Sequence, residues 1–133
     1  MMEKSCSYGF GKTVPGGFDE AVGRVCELLE GRGFDVVTRV DLQQHLQKAL
    51  GVDFRRYLIL GACRAEHAYR AFSADHNIGL LLPCKIVVYE DSLGQTTVMA
   101  MDPARIMDWV RKPGAIEVAI DIKEQIEGIM GEL

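Results

Sequence analysis

The spacing of apolar residues changes period several times along the chain, and each change predicts an element. From Glu3 to Phe10 the pattern alternates, with Cys6, Tyr8 and Phe10 on one side and Ser5 and Ser7 on the other, which predicts a half-buried strand. Pro15-Gly16-Gly17 breaks the chain. Phe18, Val22, Val25 and Leu29 then recur at helical spacing and predict an amphipathic helix over Phe18–Gly31. Gly31-Arg32-Gly33 ends it, because glycine tolerates the left-handed conformation of a helix C-terminus. A second strand is expected at Phe34–Val40, with Phe34, Val36 and Val40 on one face. Asp41 is placed to cap a short helix reaching about Leu50, in which Leu42, His45, Leu46 and Ala49 share a side and which Gly51 stops.

The near-continuous apolar run Arg56–Cys63 predicts a strand covered on both faces. Arg64–Ser73 reads as a helix with Ala65, Ala68 and Phe72 inward, and Ile78–Leu82 as an extended loop running into Pro83. Cys84–Glu90 and Gln95–Met101 predict a hairpin across Asp91-Ser92-Leu93-Gly94. Asp102-Pro103 opens a short helix over Ala104–Val110. The final helix, Ala115–Met130, carries Ala119, Ile122, Ile126 and Ile129 in one stripe that continues to Leu133. The order β-α-β-(α)-β-α-β-β-α-α predicts an α+β domain with a two-layer sandwich architecture. Its mixed, mostly antiparallel sheet has about five strands, built from two β-α-β units plus a hairpin strand, with C-terminal helices.

Composition narrows the class. At 133 residues, 48% hydrophobic and 26% charged, the chain has the length and make-up of one folded domain spanning residues 1–133. The net charge is −4 and the basic residues are scattered, Arg55-Arg56 and Arg111-Lys112 being the densest pairs. A nucleic-acid partner needs a basic stripe to displace condensed counterions, so none is expected. The apolar runs Tyr57–Cys63 and Ile78–Cys84 fall short of the ~18 residues of a membrane span. Met1–Cys6 lacks a signal peptide's apolar stretch, which predicts a cytoplasmic protein. Cysteines stand at 6, 26, 63 and 84 with no Cys-x-x-Cys pair, the pattern of free thiols in a reducing compartment.

Five stretches taken together resemble the domain-of-unknown-function family numbered 302: Gly33–Thr38, Tyr57–Cys63, Ile78–Cys84, Val87–Glu90 and Met101-Asp102-Pro103. The likeness runs from about residue 5 to the last helix. It implies a compact α+β domain of a kind that often forms homodimers, with no reaction or ligand established for the family in general. In the family the first cysteine is often followed by Asn-Pro, where this chain has Arg64-Ala65.

Chemistry, if present, centres on cysteine. Cys63 ends a strand just before the helix expected at Arg64, where the helix dipole and the Arg64 charge would favour a thiolate. Cys84 opens a later strand, and neighbouring strand ends would bring the two thiols together. His67 follows Cys63 by four residues, so Cys63, His67 and Cys84 form a partial ligand set, too incomplete for a metal site to be expected. The competing reading is of small thiols filling tight strand ends. The acidic groups Asp19-Glu20, Glu90-Asp91, Asp121, Glu124 and Glu127 read as solvated surface, with Glu90 singled out because it lies in the family-like Val-Val-Tyr-Glu stretch. No Gly-x-Gly-x-x-Gly phosphate loop and no Ser-His-Asp arrangement is present.

The leading expectation is a non-catalytic homodimeric binding module with an unidentified small-molecule ligand. The alternative is a thiol-dependent redox or metal-assisted enzyme using Cys63 and Cys84. The sequence names no cofactor. Apolar surface for the dimer is expected from the Ile78–Leu82 loop and the stripe of the last helix.

Overall fold

A computed structural model describes residues 3–133. Six strands, β1 (Glu3–Cys6), β2 (Gly9–Val14), β3 (Asp35–Asp41), β4 (Tyr57–Cys63), β5 (Cys84–Glu90) and β6 (Thr96–Met101), form one sheet in the order β1-β2-β6-β5-β4-β3. Five helices complete it: α1 (Phe18–Gly31), α2 (Leu42–Leu50), α3 (Ala65–Ala74), α4 (Ala104–Val110) and α5 (Pro113–Glu132). The predicted α+β two-layer architecture is present. Every strand pair is antiparallel, so the expected mixture with parallel pairs is not seen among the described residues.

The extra strand comes from the N-terminus. Glu3–Phe10 is not one strand but the first part of a hairpin that turns at Ser7-Tyr8, with Cys6 opposite Gly9. Alternation alone does not distinguish a strand from two strands joined by a two-residue turn, because the period continues through a tight reversal.

One face of the sheet makes the core. Leu60, Ala62, Cys84, Ile86, Val88, Val98 and Ala100 are buried there with Phe18, Val22, Val25 and Leu29 of α1 and Ile122, Ile126 and Ile129 of α5. Both amphipathic stripes read from the sequence therefore face the sheet. α3 and α4 pack against α5. α3 turns His67 and Ala71 inward, whereas Ala65, expected inside, is exposed, because the buried face is centred on the His67–Ala71 pair and Ala65 lies in the first turn off that face.

The caps follow local chemistry. The Asp41 carboxylate accepts from the Gln44 N–H at 3.0 Å, and Gly51 ends α2 at φ 66°. Asp102 accepts from the Ala104 N–H at 2.9 Å, and Pro113 opens α5. Ile78–Leu82 is not extended: His76–Leu80 forms a 3-10 turn, started by Asp75 accepting from the Asn77 N–H at 3.0 Å, and Leu82-Pro83 is cis.

Two expectations about apolar surface change. Ile78 and the α5 stripe are consumed by the core, leaving Leu80 as the exposed apolar residue of that loop. β4 is not covered on both faces either. Leu58, Leu60 and Ala62 face the core, while Tyr57 and Ile59 on the other side are half-exposed. α2 is amphipathic in sequence, yet none of its residues is buried.

Gly11 of β2 pairs with Met99 of β6. A side-chain carbon added there would collide with the Val98 carbonyl oxygen and come within 2.7 Å of the Met99 Cα. Backbone atoms cannot step aside as a flexible side chain can. Gly11→Ala is therefore expected to lower unfolding free energy by roughly 1–3 kcal/mol, measured by urea denaturation. An unchanged midpoint would show that the two strands separate freely.

Candidate functional site

The sequence singled out Cys63, His67, Cys84 and Glu90, and the structure divides them. Ala62 of β4 pairs with Cys84 of β5, which puts Cys63 beside Cys84 at the same end of the sheet. Cys63, His67 and Cys84 line one cleft with Phe34, Leu82 and Pro83. Its volume is about 10 Å³. That is barely room for one water molecule.

Glu90 lies at the opposite end of β5 from Cys84, about 20 Å away along the strand. Its N–H donates to the Arg56 carbonyl at 3.0 Å. The Arg56 guanidinium grips Asp19 through two bonds of 2.7 and 3.1 Å and lies 4.1 Å from the centre of the Phe18 ring. The Arg56 pKa is raised chiefly by its bond to Asp19, with Glu90 and Asp41 adding to it. This group ties the start of α1 to the start of β4.

Electrostatics reverses the thiolate expectation. α3 begins at Ala65 with Arg64 as its N-cap, so Cys63 stands outside the helix. Burial pushes its thiol up, and the cross-strand Asp35 carboxylate adds to the shift. Cys84 is pushed up to about 12 by burial, then by Cys63, with Lys85 opposing weakly. Both thiols are protonated at neutral pH. Among the described residues, no group of three or more His, Cys, Asp or Glu side chains is arranged to hold a metal ion.

His67 is buried against the Phe34 ring at a centroid distance of 5.9 Å, and among the described residues its Nδ1 has no hydrogen-bond partner. Burial lowers its pKa most and the Arg64 charge acts in the same direction, with Asp121 opposing, Arg70 adding to the lowering and Glu66 opposing least. In the unfolded chain the imidazole takes up its proton near pH 6.5, while in the fold it stays neutral to lower pH. His67 therefore contributes stability that is intact above about pH 6.5 and lost as pH falls below it. His67→Phe is expected to flatten the stability curve between pH 7 and 5, read from urea midpoints. Parallel curves for the two proteins would show that His67 charges freely in the fold.

A larger site lies on the other face of the sheet. The register puts Val40, Ile59, Val87 and Met99 in one cross-strand row, with Tyr57, Tyr89, Thr97 and Thr13 in the next. Tyr57 and Tyr89 are direct partners, their rings stacked at 5.2 Å and 7°. Phe54 extends the aromatic surface at 6.4 Å from Tyr57. Burial raises the Tyr57 pKa, with Tyr89 and Tyr8 contributing.

The β1–β2 hairpin completes the groove. Lys4, Ser5, Cys6 and Tyr8 line it together with Tyr57 of β4, although three strands lie between β1 and β4. A flat sheet would hold those two strands about 19 Å apart, so the groove spans the open face from the edge hairpin to β4. The resulting groove has a volume of about 540 Å³ and an apolar floor of Val87, Met99 and Met101. This is the size of small-molecule sites. Sequence reading placed Tyr8 and Tyr89 in strands without linking them. The available signal was local, an outward-facing aromatic at the same register in β4 and β5.

Fold and groove together define a small α+β domain with a ligand-sized site on the open face of an antiparallel sheet. The chain belongs to the family described as domain of unknown function DUF302, whose model matches residues 10–133. It is similar to the crystal structure of an uncharacterized conserved DUF302 protein from Bacillus stearothermophilus. That similarity has a TM-score of 0.86 and 28% identity over 95% of this chain and 98% of the other. Among curated proteins none matches the sequence. Among the described residues no helix is long and apolar enough to cross a membrane.

Proposed function

We propose that the protein is a non-catalytic homodimeric binding module whose small-molecule ligand occupies the groove on the open sheet face. The observation that carries this reading is the groove itself, with an aromatic wall and an apolar floor in a volume of about 540 Å³. Such a site binds by shape and stacking. Native mass spectrometry of protein purified from its own host tests it. The expected result is a small-molecule mass excess that Tyr89→Ala releases, and apo protein throughout would count against the groove as a ligand site.

The dimer contact proposed here is the segment 37–54. It exposes Val37, Val40, Leu50, Val52 and Phe54, with Leu50 69% exposed. A two-fold contact uses one surface twice, so a single segment supplies both halves. The resemblance to a family whose members often form homodimers points the same way. Sedimentation equilibrium at micromolar protein is expected to give twice the chain mass of 14.7 kDa. Leu50→Glu is expected to give the monomer. A wild-type monomer would rule the contact out.

The second reading, a thiol-dependent redox or metal-assisted enzyme, rests on the convergence of Cys63, His67 and Cys84 on one cleft. The raised pKa of both thiols and the size of the cleft weigh against it.

A further inference from the structure

We infer that the ligand of the open-face groove is a flat, apolar anion, an aromatic or fused-ring molecule carrying a carboxylate, sulfonate or phosphate. This inference rests on the groove being a ligand site and specifies what it selects. The first argument is charge. The chain as a whole is −4, yet the residues lining the groove include Lys4 and Lys85 and no carboxylate. Lys4 is 3.9 Å from Asp91, a loose ion pair. Among the described residues Lys85 has no carboxylate partner, and its ammonium donates to the Pro83 carbonyl at 3.3 Å. An ammonium held only by a neutral acceptor at the mouth of an apolar groove is available to a ligand's negative group.

The second argument is shape. Tyr57 and Tyr89 lie within 7° of parallel, so they offer a continuous aromatic edge and face rather than a crossed pair that would block a flat guest. Tyr8, 65% exposed at the hairpin turn, stands across from them. Gly9 on the floor carries no side chain. A planar ring system fits between the hairpin and the tyrosines, with its apolar surface on Val87 and Met99. Its charged group reaches Lys85 at the rim, where the ammonium remains partly hydrated. Aromatic contact then supplies most of the affinity, and the lysine selects the sign of charge.

Two probes separate these contributions: 1-anilinonaphthalene-8-sulfonate, an anion built on a flat naphthalene ring, and N-phenyl-1-naphthylamine, its uncharged counterpart. Fluorescence titrations of the whole chain are expected to show tighter binding of the sulfonate, weakening as salt is raised. Lys85→Gln is expected to weaken the sulfonate about threefold to fivefold, the size of one partly exposed ion pair, and to leave the uncharged probe unchanged. Tyr89→Ala should weaken both. If that variant does not fold, Tyr8→Ala at the exposed turn replaces it. Amide shifts of Tyr57, Lys85 and Met99 in NMR spectra are expected to mark the site. Equal affinity for the two probes, with Lys85→Gln changing neither, overturns the anion inference while the binding module stands. No binding of either probe at these amides removes the module reading as well.

Discussion

Cys84 in the folded protein is expected to react with iodoacetamide on the order of a thousandfold more slowly than a free thiol at pH 8. A free cysteine, with a pKa of about 8.5, is partly thiolate at that pH. Cys84, pushed up to about 12, is almost wholly protonated, and only the thiolate attacks. Its 3% exposure adds steric shielding to the same side. Cys63 is half-exposed and also raised, so it should be intermediate, whereas Cys6 is exposed in β1 and should react first. This order reverses the one that a thiolate at a helix N-terminus would produce. Peptide mass spectrometry against time and pH reads all four cysteines in one experiment. Native Cys63 modified ahead of Cys6 at neutral pH would restore the thiol-enzyme reading, and modification only after unfolding would leave it a packing residue.

Ile86→Ala and Val87→Ala, neighbours on β5, are expected to differ severalfold in cost. Ile86 is fully buried, opposite Leu60 and Ala100 on the core face. Truncation removes three carbons and leaves a cavity that the sheet and the helices packed on it cannot fully collapse around, a loss of roughly 2–5 kcal/mol. That lowers the thermal midpoint by roughly 10 °C or more. Val87 is half-exposed on the open face, opposite Ile59 and Met99, where water fills the space it vacates. Its truncation should cost about 1 kcal/mol or less. Equal losses would mean that the open face is covered in solution, and their dependence on protein concentration would identify a second copy as the cover.

The elements of this fold were legible because their causes are local. α1 and α4 fall on the predicted residues, Asp41 and Gly51 bound α2 as read, and the Cys84–Met101 hairpin pairs as expected. Periodicity, a capping carboxylate and a left-handed glycine each act within a few residues, and the family resemblance rests on the same local strings. The N-terminal hairpin was missed because a tight turn leaves the alternation intact.

Tertiary structure decided the rest. Which face of β4 stays open depends on where α1 and α5 pack, and nothing in Tyr57–Cys63 distinguishes a strand covered twice from one covered once. The expected dimer surface of Ile78 and α5 went into the core for the same reason: an apolar stripe records that a face is buried, not what buries it. Cys63 and Cys84 did converge, but their pKa values follow from burial and from Asp35 across the sheet, neither of which their sequence neighbours specify. The groove is the most non-local feature of all. It is lined from both β1 and β4, which three strands separate, and that neighbourhood is a property of the paired sheet rather than of any one segment of the chain.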